Sequence, residues 1–196
     1  MHIGEKFYSD QDLKNFGFKS IGNNVKIKKN VGIFFTENVS IGNNVRIDDF
    51  TIIVASGSDV IIGNNVHIAA NCYIAGSDGF EMKDFSGLAP GVMIFSGSDD
   101  YSGKKLTNPT IPKKYTGGIS GKVTLEKHVI IGAGTVILPK IIIGEGSSVG
   151  AMSLVTKSLP PWGIYFGTPA KKLRERSKEL LNLEAEILDG ERYNRE

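Results

Sequence analysis

An aliphatic residue returns every six positions along most of this chain. The series runs Ile21, Ile27, Ile33; Ile41, Ile47, Ile53; Ile62, Ile68, Ile74; Met82, Leu88, Ile94; Leu125, Ile131, Ile137; and Ile143, Val149, Val155. A period of six matches neither the 3.6 of a helix nor the alternation of a strand. It fits a chain wound into a three-sided prism, in which each short strand sends one aliphatic side chain inward and then turns a corner. Three hexads make one coil of 18 residues. Between the first four triplets the step lengthens to eight or nine, placing a short insertion at one corner (Thr36–Ser40, Gly57–Val60, Ser77–Glu81). An internal repeat fixes an architecture before any single residue is interpreted, and this one predicts an all-β solenoid of about six triangular coils over residues 21–169.

Three segments leave the repeat. Residues 1–20 predict a cap over the first coil, with a short helix around Asp10–Leu13 started by Ser9 or Asp10. Residues 96–122 interrupt the register between Ile94 and Leu125 and predict a protruding loop, long enough to be functional rather than a simple connection. From Ala170, the spacing of Leu173, Leu180, Leu181, Leu183 and Ile187 predicts an amphipathic helix within residues 170–196, ending near Asp189-Gly190, with a frayed tail after it.

Composition narrows the class. The 24 glycines exceed the average share, which the corners of the repeat explain. The pairs Asn23-Asn24, Asn43-Asn44 and Asn64-Asn65 suit left-handed backbone at those corners. The single cysteine, Cys72, excludes an intrachain disulfide and falls at a small inward position. A net charge of +2 gives no reason to invoke nucleic acid. No apolar stretch suits a signal peptide or a membrane span, so a cytoplasmic protein without membrane insertion is expected.

Ile-Gly followed by small or polar residues, at Ile21, Ile41, Ile62, Ile131 and Ile143, resembles the repeat of the hexapeptide-repeat acyltransferases. The tail is more specific. Val149-Gly-Ala-Met-Ser-Leu-Val-Thr-Lys, then Pro160-Pro161, then Gly167-Thr-Pro-Ala, is similar to the closing coil of galactoside and sugar O-acetyltransferases. The resemblance implies a left-handed parallel β-helix, whereas the general preference for right-handed crossovers predicts the opposite hand. It also implies a homotrimer with sites between neighbouring prisms, acetyl-CoA as acyl donor, and a sugar or nucleotide-sugar acceptor in surface-polysaccharide biosynthesis. Carried over by motif, Ala133 and Ala151 would line the pantetheine groove, Thr156 and Lys157 the nucleotide end, and Lys171 and Arg174 the phosphates. The backbone N–H of Gly150 is a candidate for stabilising the tetrahedral intermediate. No metal site is expected.

The acceptor side departs from that pattern. Alignment through Leu88-Ala-Pro-Gly-Val-Met-Ile puts Asp99 where the galactoside enzymes carry a catalytic histidine. His2 lies in the cap and His128 reads as mid-strand. His67 points outward in a column Lys26, Arg46, His67, Gly87, Ile130, whose cations favour a neutral imidazole. It is therefore the candidate general base, with Asp99 or Asp100 as its partner or as acceptor ligand. A base suits O-acetylation of a sugar, the leading expectation. Without one, N-acetylation of an amino sugar carried on a nucleotide is the alternative, since a neutral amine attacks a thioester unaided. A non-catalytic structural solenoid is the reading from another class. For Trp162, packing under the C-terminal helix is favoured over stacking on a ligand.

Overall fold

Three parallel sheets of short strands form the sides of the prism in the computed structural model, which describes residues 6–193. The strands of the first face are Ser20–Ile21, Val39–Ile41, Val60–Ile62, Phe80–Met82, Val123–Leu125 and Ile142–Ile143. Those of the second are Lys26–Ile27, Arg46–Ile47, His67–Ile68, Gly87–Leu88, Ile130–Ile131, Ser148–Val149 and Gly163–Phe166. The third holds Gly32–Phe34, Ile52–Val54, Tyr73–Ala75, Met93–Phe95, Val136–Ile137 and Leu154–Val155. Every predicted triplet contributes one inward residue to each face. Ile47, Ile53, Ile68, Ile74, Ile94, Leu125 and Ile131 are completely buried, each worth about 1.5–3 kcal/mol of transfer free energy. Cys72 packs among them, and burial pushes its thiol pKa up, so it is a core side chain rather than a nucleophile.

The Ile-Gly-Asn-Asn signature divides its labour. A Cβ on Gly42 would lie 2.7 Å from the backbone of Gly63 in the next coil, so the glycine answers to close approach between coils. Left-handed backbone occurs two residues later, at Asn24, Asn44 and Asn65. The first asparagine of each pair reaches down the stack: Asn43 and Asn64 accept from the Asn23 and Asn43 N–H groups, and Asp84 ends the run by accepting from Asn64. The second asparagines form a parallel amide ladder, Asn24 to Asn44 to Asn65.

Both ends are closed. Helix α1 (Asp10–Asn15) is started by Ser9 in a capping box with Asp12, and Leu13 is buried against the first coil. His2 lies outside the described residues. At the other end the prism extends beyond six coils: Leu159 bridges Ile143, and Tyr165 pairs with Val149 as the inward residue of a partial seventh.

The expected helix from Ala170 is corrected. Lys171–Glu175 is a strand, antiparallel to Gly163–Phe166, which satisfies the open edge of the second face. Leu173 is 65% exposed, so its place in the leucine spacing reflects no packing. Helix α2 runs Leu180–Tyr193, through Gly190, and residues 194–196 lie outside the described part. The excursion at 96–122 has a stem, an antiparallel hairpin of Gly97–Asp99 with Gly118–Ser120, rooted at the corner between third and first faces.

Candidate functional site

The outward column of the second face has the register read from the sequence: Lys26, Arg46, His67, Gly87, Ile130, Ser148 and Ile164 pair in turn. Sequence reasoning missed its organising group. Asp48, at the corner following Arg46–Ile47, accepts from Arg46 Nε at 2.8 Å and is joined to His67 Nε2 at 2.8 Å. Burial alone would raise the Asp48 carboxyl, but the bonds from His67 and Arg46 outweigh it and hold the group below the usual carboxylate range. The ring of His67 is thus oriented by a carboxylate, a neighbour that the column of Lys26 and Arg46 did not reveal. Asp48 lies two residues after Arg46, and that spacing was the available signal.

Beside this column lies a groove of about 400 Å³, floored by His67, Ser86, Gly87 and Ile130 and walled by Leu183 and Ile187 of α2. A Cβ on Gly87 would meet nothing closer than 3.8 Å, so the column opens there. His128 borders the same groove, and its expected place in a strand is also corrected. It occupies a corner with φ of 61°, stacks on Phe85 at 5.4 Å and is buried. Its Nε2 meets Glu184 of α2 at 2.8 Å, and Lys127 pairs with the other carboxylate oxygen. Burial would raise the Glu184 carboxyl, but bonds from Lys127 and His128 outweigh it and lower its pKa. Arg176 completes the attachment by donating to the carbonyls of His128 and Gly146. The groove wall is therefore a helix held by a buried ionic clamp.

Asp99 and Asp100 stand elsewhere, on the hairpin at the corner between third and first faces. They are not equivalent. Asp100 is committed to the loop: hydrogen bonds from Ser102, side chain and backbone, and from the Lys105 N–H hold its carboxyl below the usual range. Asp99 is exposed, and its carboxylate has no partner among the described residues.

The expected donor residues divide between edges. Ala133 and Ala151 stack at the corner between second and third faces, where the Met152 N–H reaches the Ala133 carbonyl. Gly150 adjoins them, its Cα closely approached by the Phe166 ring, and Lys171 pairs with Phe166. Arg174 lies on the second face opposite Ile164. Thr156 and Lys157 follow Leu154–Val155 and sit at the corner between third and first faces, the corner of the hairpin. Within the chain the two sets do not come together. Trp162 packs on Gly146 at a corner, its ring under the Lys178 ammonium, with the Arg176 N–H on its carbonyl. Among the described residues no cluster of three or more metal-binding side chains occurs, and no helix is long and apolar enough to cross a membrane.

The family model for the bacterial transferase hexapeptide (six repeats) matches residues 122–157. The chain is 42% identical over 179 residues to dTDP-4-amino-4,6-dideoxy-D-glucose acyltransferase of Escherichia coli, covering 91% of this chain and 93% of that one. Among solved structures it is similar to AntD, an N-acyltransferase from Bacillus cereus. A variant of AntD with dTDP-4-amino-4,6-dideoxyglucose and coenzyme A superposes with a TM-score of 0.92 at 46% identity, over 96% of this chain and 100% of that one. AntD with dTDP and 3-hydroxybutyryl-CoA gives 0.90 at 45% identity, over 95% and 98%. Similarity to the galactoside O-acetyltransferase of Lactococcus lactis is lower, 28% identity over 81% of this chain and 63% of that one.

Proposed function

The chain belongs to the hexapeptide-repeat sugar acyltransferases, and we propose that it transfers an acyl group from a coenzyme A thioester to the amino group of a nucleotide-linked amino sugar. N-transfer, the alternative at the level of sequence, thereby displaces O-transfer as the leading reading. The observation that carries it is Asp99: an exposed carboxylate stands at the place where the resemblance to the galactoside enzymes implied a histidine. A carboxylate is a weak base for a sugar hydroxyl but a good ligand for an amine. The relatives at 42–46% identity support the same choice, because their names specify a dTDP-linked 4-amino sugar, N-acylation and coenzyme A.

In this reading the neutral amine attacks the thioester carbonyl, the C–N bond forms, the C–S bond breaks, and the amine proton passes to the departing thiolate. Asp99 orients the nitrogen. Ala133, Gly150, Ala151 and Lys171 line the donor groove at one edge, with Arg174 beyond them, and Thr156 and Lys157 serve from another. Because those edges are separate in one protomer, the complete site joins edges of two neighbours in a homotrimer. The exposed apolar stripe of the third face, Ile52, Tyr73 and Met93, supports that assembly.

The Asp48–His67 pair favours a second reading, O-transfer with His67 as general base oriented by Asp48. The two separate in one assay. Thiol release is followed with acetyl-CoA or 3-hydroxybutyryl-CoA and either dTDP-4-amino-4,6-dideoxyglucose or its 4-hydroxy counterpart. N-transfer expects turnover of the amine only, with His67→Ala retaining most of kcat. Equal turnover of the hydroxyl sugar, lost in His67→Ala, would reverse the ranking.

A further inference from the structure

The second face carries a graded column that no part of the chemistry above uses in full. Its first three outward positions are Lys26, Arg46 and His67, on consecutive coils and in strict register. Its fourth is Gly87, open above the column, and the groove beneath α2 begins there. Its last, Ser148 and Ile164, reach the closing coils, where Arg174 pairs alongside. Neighbouring coils lie about 4.8 Å apart, so the three side chains are spaced like a ladder and Gly87 stands roughly 14 Å from Lys26. Lys26 is exposed and makes no ion pair among the described residues, and Arg46 and His67 are each more than half exposed. The Asp48 carboxylate offsets part of the charge but fixes the directions of the other two groups.

A row of exposed nitrogen donors at coil spacing, running into a groove with aliphatic walls, suits one ligand class: a flexible diphosphate bearing a less polar group at one end. We infer that Lys26, Arg46 and His67 bind the diphosphate of the nucleotide-linked acceptor, directing its sugar toward Gly87. This rests on the proposed reading and adds to it a location and an orientation. The acceptor lies along the second face from the first coils upward. The donor comes down from the closing coils, where Lys171 and Arg174 take its phosphates. The two reactive ends meet near the fourth coil, and Asp99 reaches them from the hairpin of a neighbouring copy. His67 is then an anion ligand whose ring is held in place by Asp48.

The proposal is tested by titrating the intact protein with dTDP and, separately, with coenzyme A, by calorimetry at fixed ionic strength. Wild type, Lys26→Ala, Arg46→Gln and the control Lys14→Ala, which removes a charge from α1, are compared, with thermal melts as a check on folding. Lys26→Ala is expected to weaken dTDP roughly tenfold, the equivalent of ~1.4 kcal/mol. It should leave coenzyme A and the melting temperature unchanged, and Lys14→Ala should change neither affinity. The double variant Lys26→Ala/Arg46→Gln should flatten the salt dependence of dTDP binding. If wild type binds both ligands and Lys26→Ala binds dTDP as wild type does, the ladder is wrong and the proposed activity stands. If wild type binds coenzyme A but not dTDP, the nucleotide-linked acceptor itself is overturned, and the ladder with it.

Discussion

Gly42 and Asn44 stand two residues apart in one hexad and are needed for different reasons, which makes them separable by substitution. A Cβ at position 42 would strike the backbone of Gly63, and backbone cannot step aside as a side chain can. Gly42→Ala should therefore cost at least the ~1–3 kcal/mol of an overpacked core, read as a fall in the denaturant midpoint. Asn44 has φ of 56° and passes an amide hydrogen bond to Asn65. Asn44→Gly keeps the backbone comfortable and loses only a bond worth about 1 kcal/mol, while Asn44→Ala adds a further ~1–2 kcal/mol of left-handed strain. If Gly42→Ala proved as mild as Asn44→Gly, the close-approach account of the repeat would fail. The sequence displayed this repeat plainly but not which residue did which task, because glycine content alone does not separate a positive φ from a close contact. The two hairpin carboxylates make a second residue-scale contrast. Asp99→Asn should lower kcat/KM for an amino-sugar acceptor on the order of a hundredfold, as expected for a lost contact to a charged group. Affinity for coenzyme A should be unchanged. Asp100→Asn should instead disturb the turn made by Ser102 and Lys105 and show as faster proteolysis of the hairpin.

Helix α2 is the element whose boundaries the sequence least revealed. Leucine spacing ran through Lys171–Glu175, yet that segment is a strand because Gly163–Phe166 offers an unpaired edge, a tertiary fact with no local signature. Nor did the spacing show that Glu184, a charge on an otherwise ordinary helix face, is buried between His128 and Lys127. That clamp gives α2 a dependence on pH. A carboxyl whose folded pKa lies below its unfolded value stabilises the folded state while ionised. The contribution of Glu184 is therefore complete above the ordinary value of 4.5 and is lost as the pH falls through the lower folded value. Amide exchange in 180–193 should accelerate in that acidic window while the coils stay protected, since solenoid ends open without unfolding the whole. Glu184→Gln should produce the same local release at neutral pH. Breaking one side of a buried pair costs about 3–5 kcal/mol, enough to free a terminal helix. Exchange in α2 that was indifferent to both changes would show that the helix is held by its leucines instead.

At the scale of the whole molecule, the three faces of the prism differ in ways that follow from which residue each strand turns outward. The first alternates Ser40, Ile61, Glu81 and Thr124, and the second runs from cations to small residues. Ile52, Tyr73 and Met93 give the third a continuous apolar column, each 36–43% exposed, extended at its corners by Phe50 at 63% and Met152 at 75%. A stripe of this kind is costly to leave in water and is the natural seat of another copy, whose contact must be heterologous if three prisms are to close a ring. Six of the coils, their inward residues and the place of the excursion were legible from a period of six; the partial seventh coil, closed by Leu159 and Tyr165, lies outside that period. A period of six does not itself name the stripe, because naming a face requires the register between coils. Met93→Arg places a charge at the centre of the column without touching the inward neighbours Ile94 and Val92. If the proposed trimer is built on this stripe, the variant should run as a folded monomer by light scattering, with an unchanged circular dichroism spectrum. Activity should fall with it, because the donor edge and the hairpin carboxylate would then belong to separate molecules. Mixing Met93→Arg with an excess of Asp99→Asn should restore no more turnover than either alone if the arginine prevents assembly. Full activity of the monomeric variant would place both edges of the site within one chain, and the shared-site arrangement would be wrong.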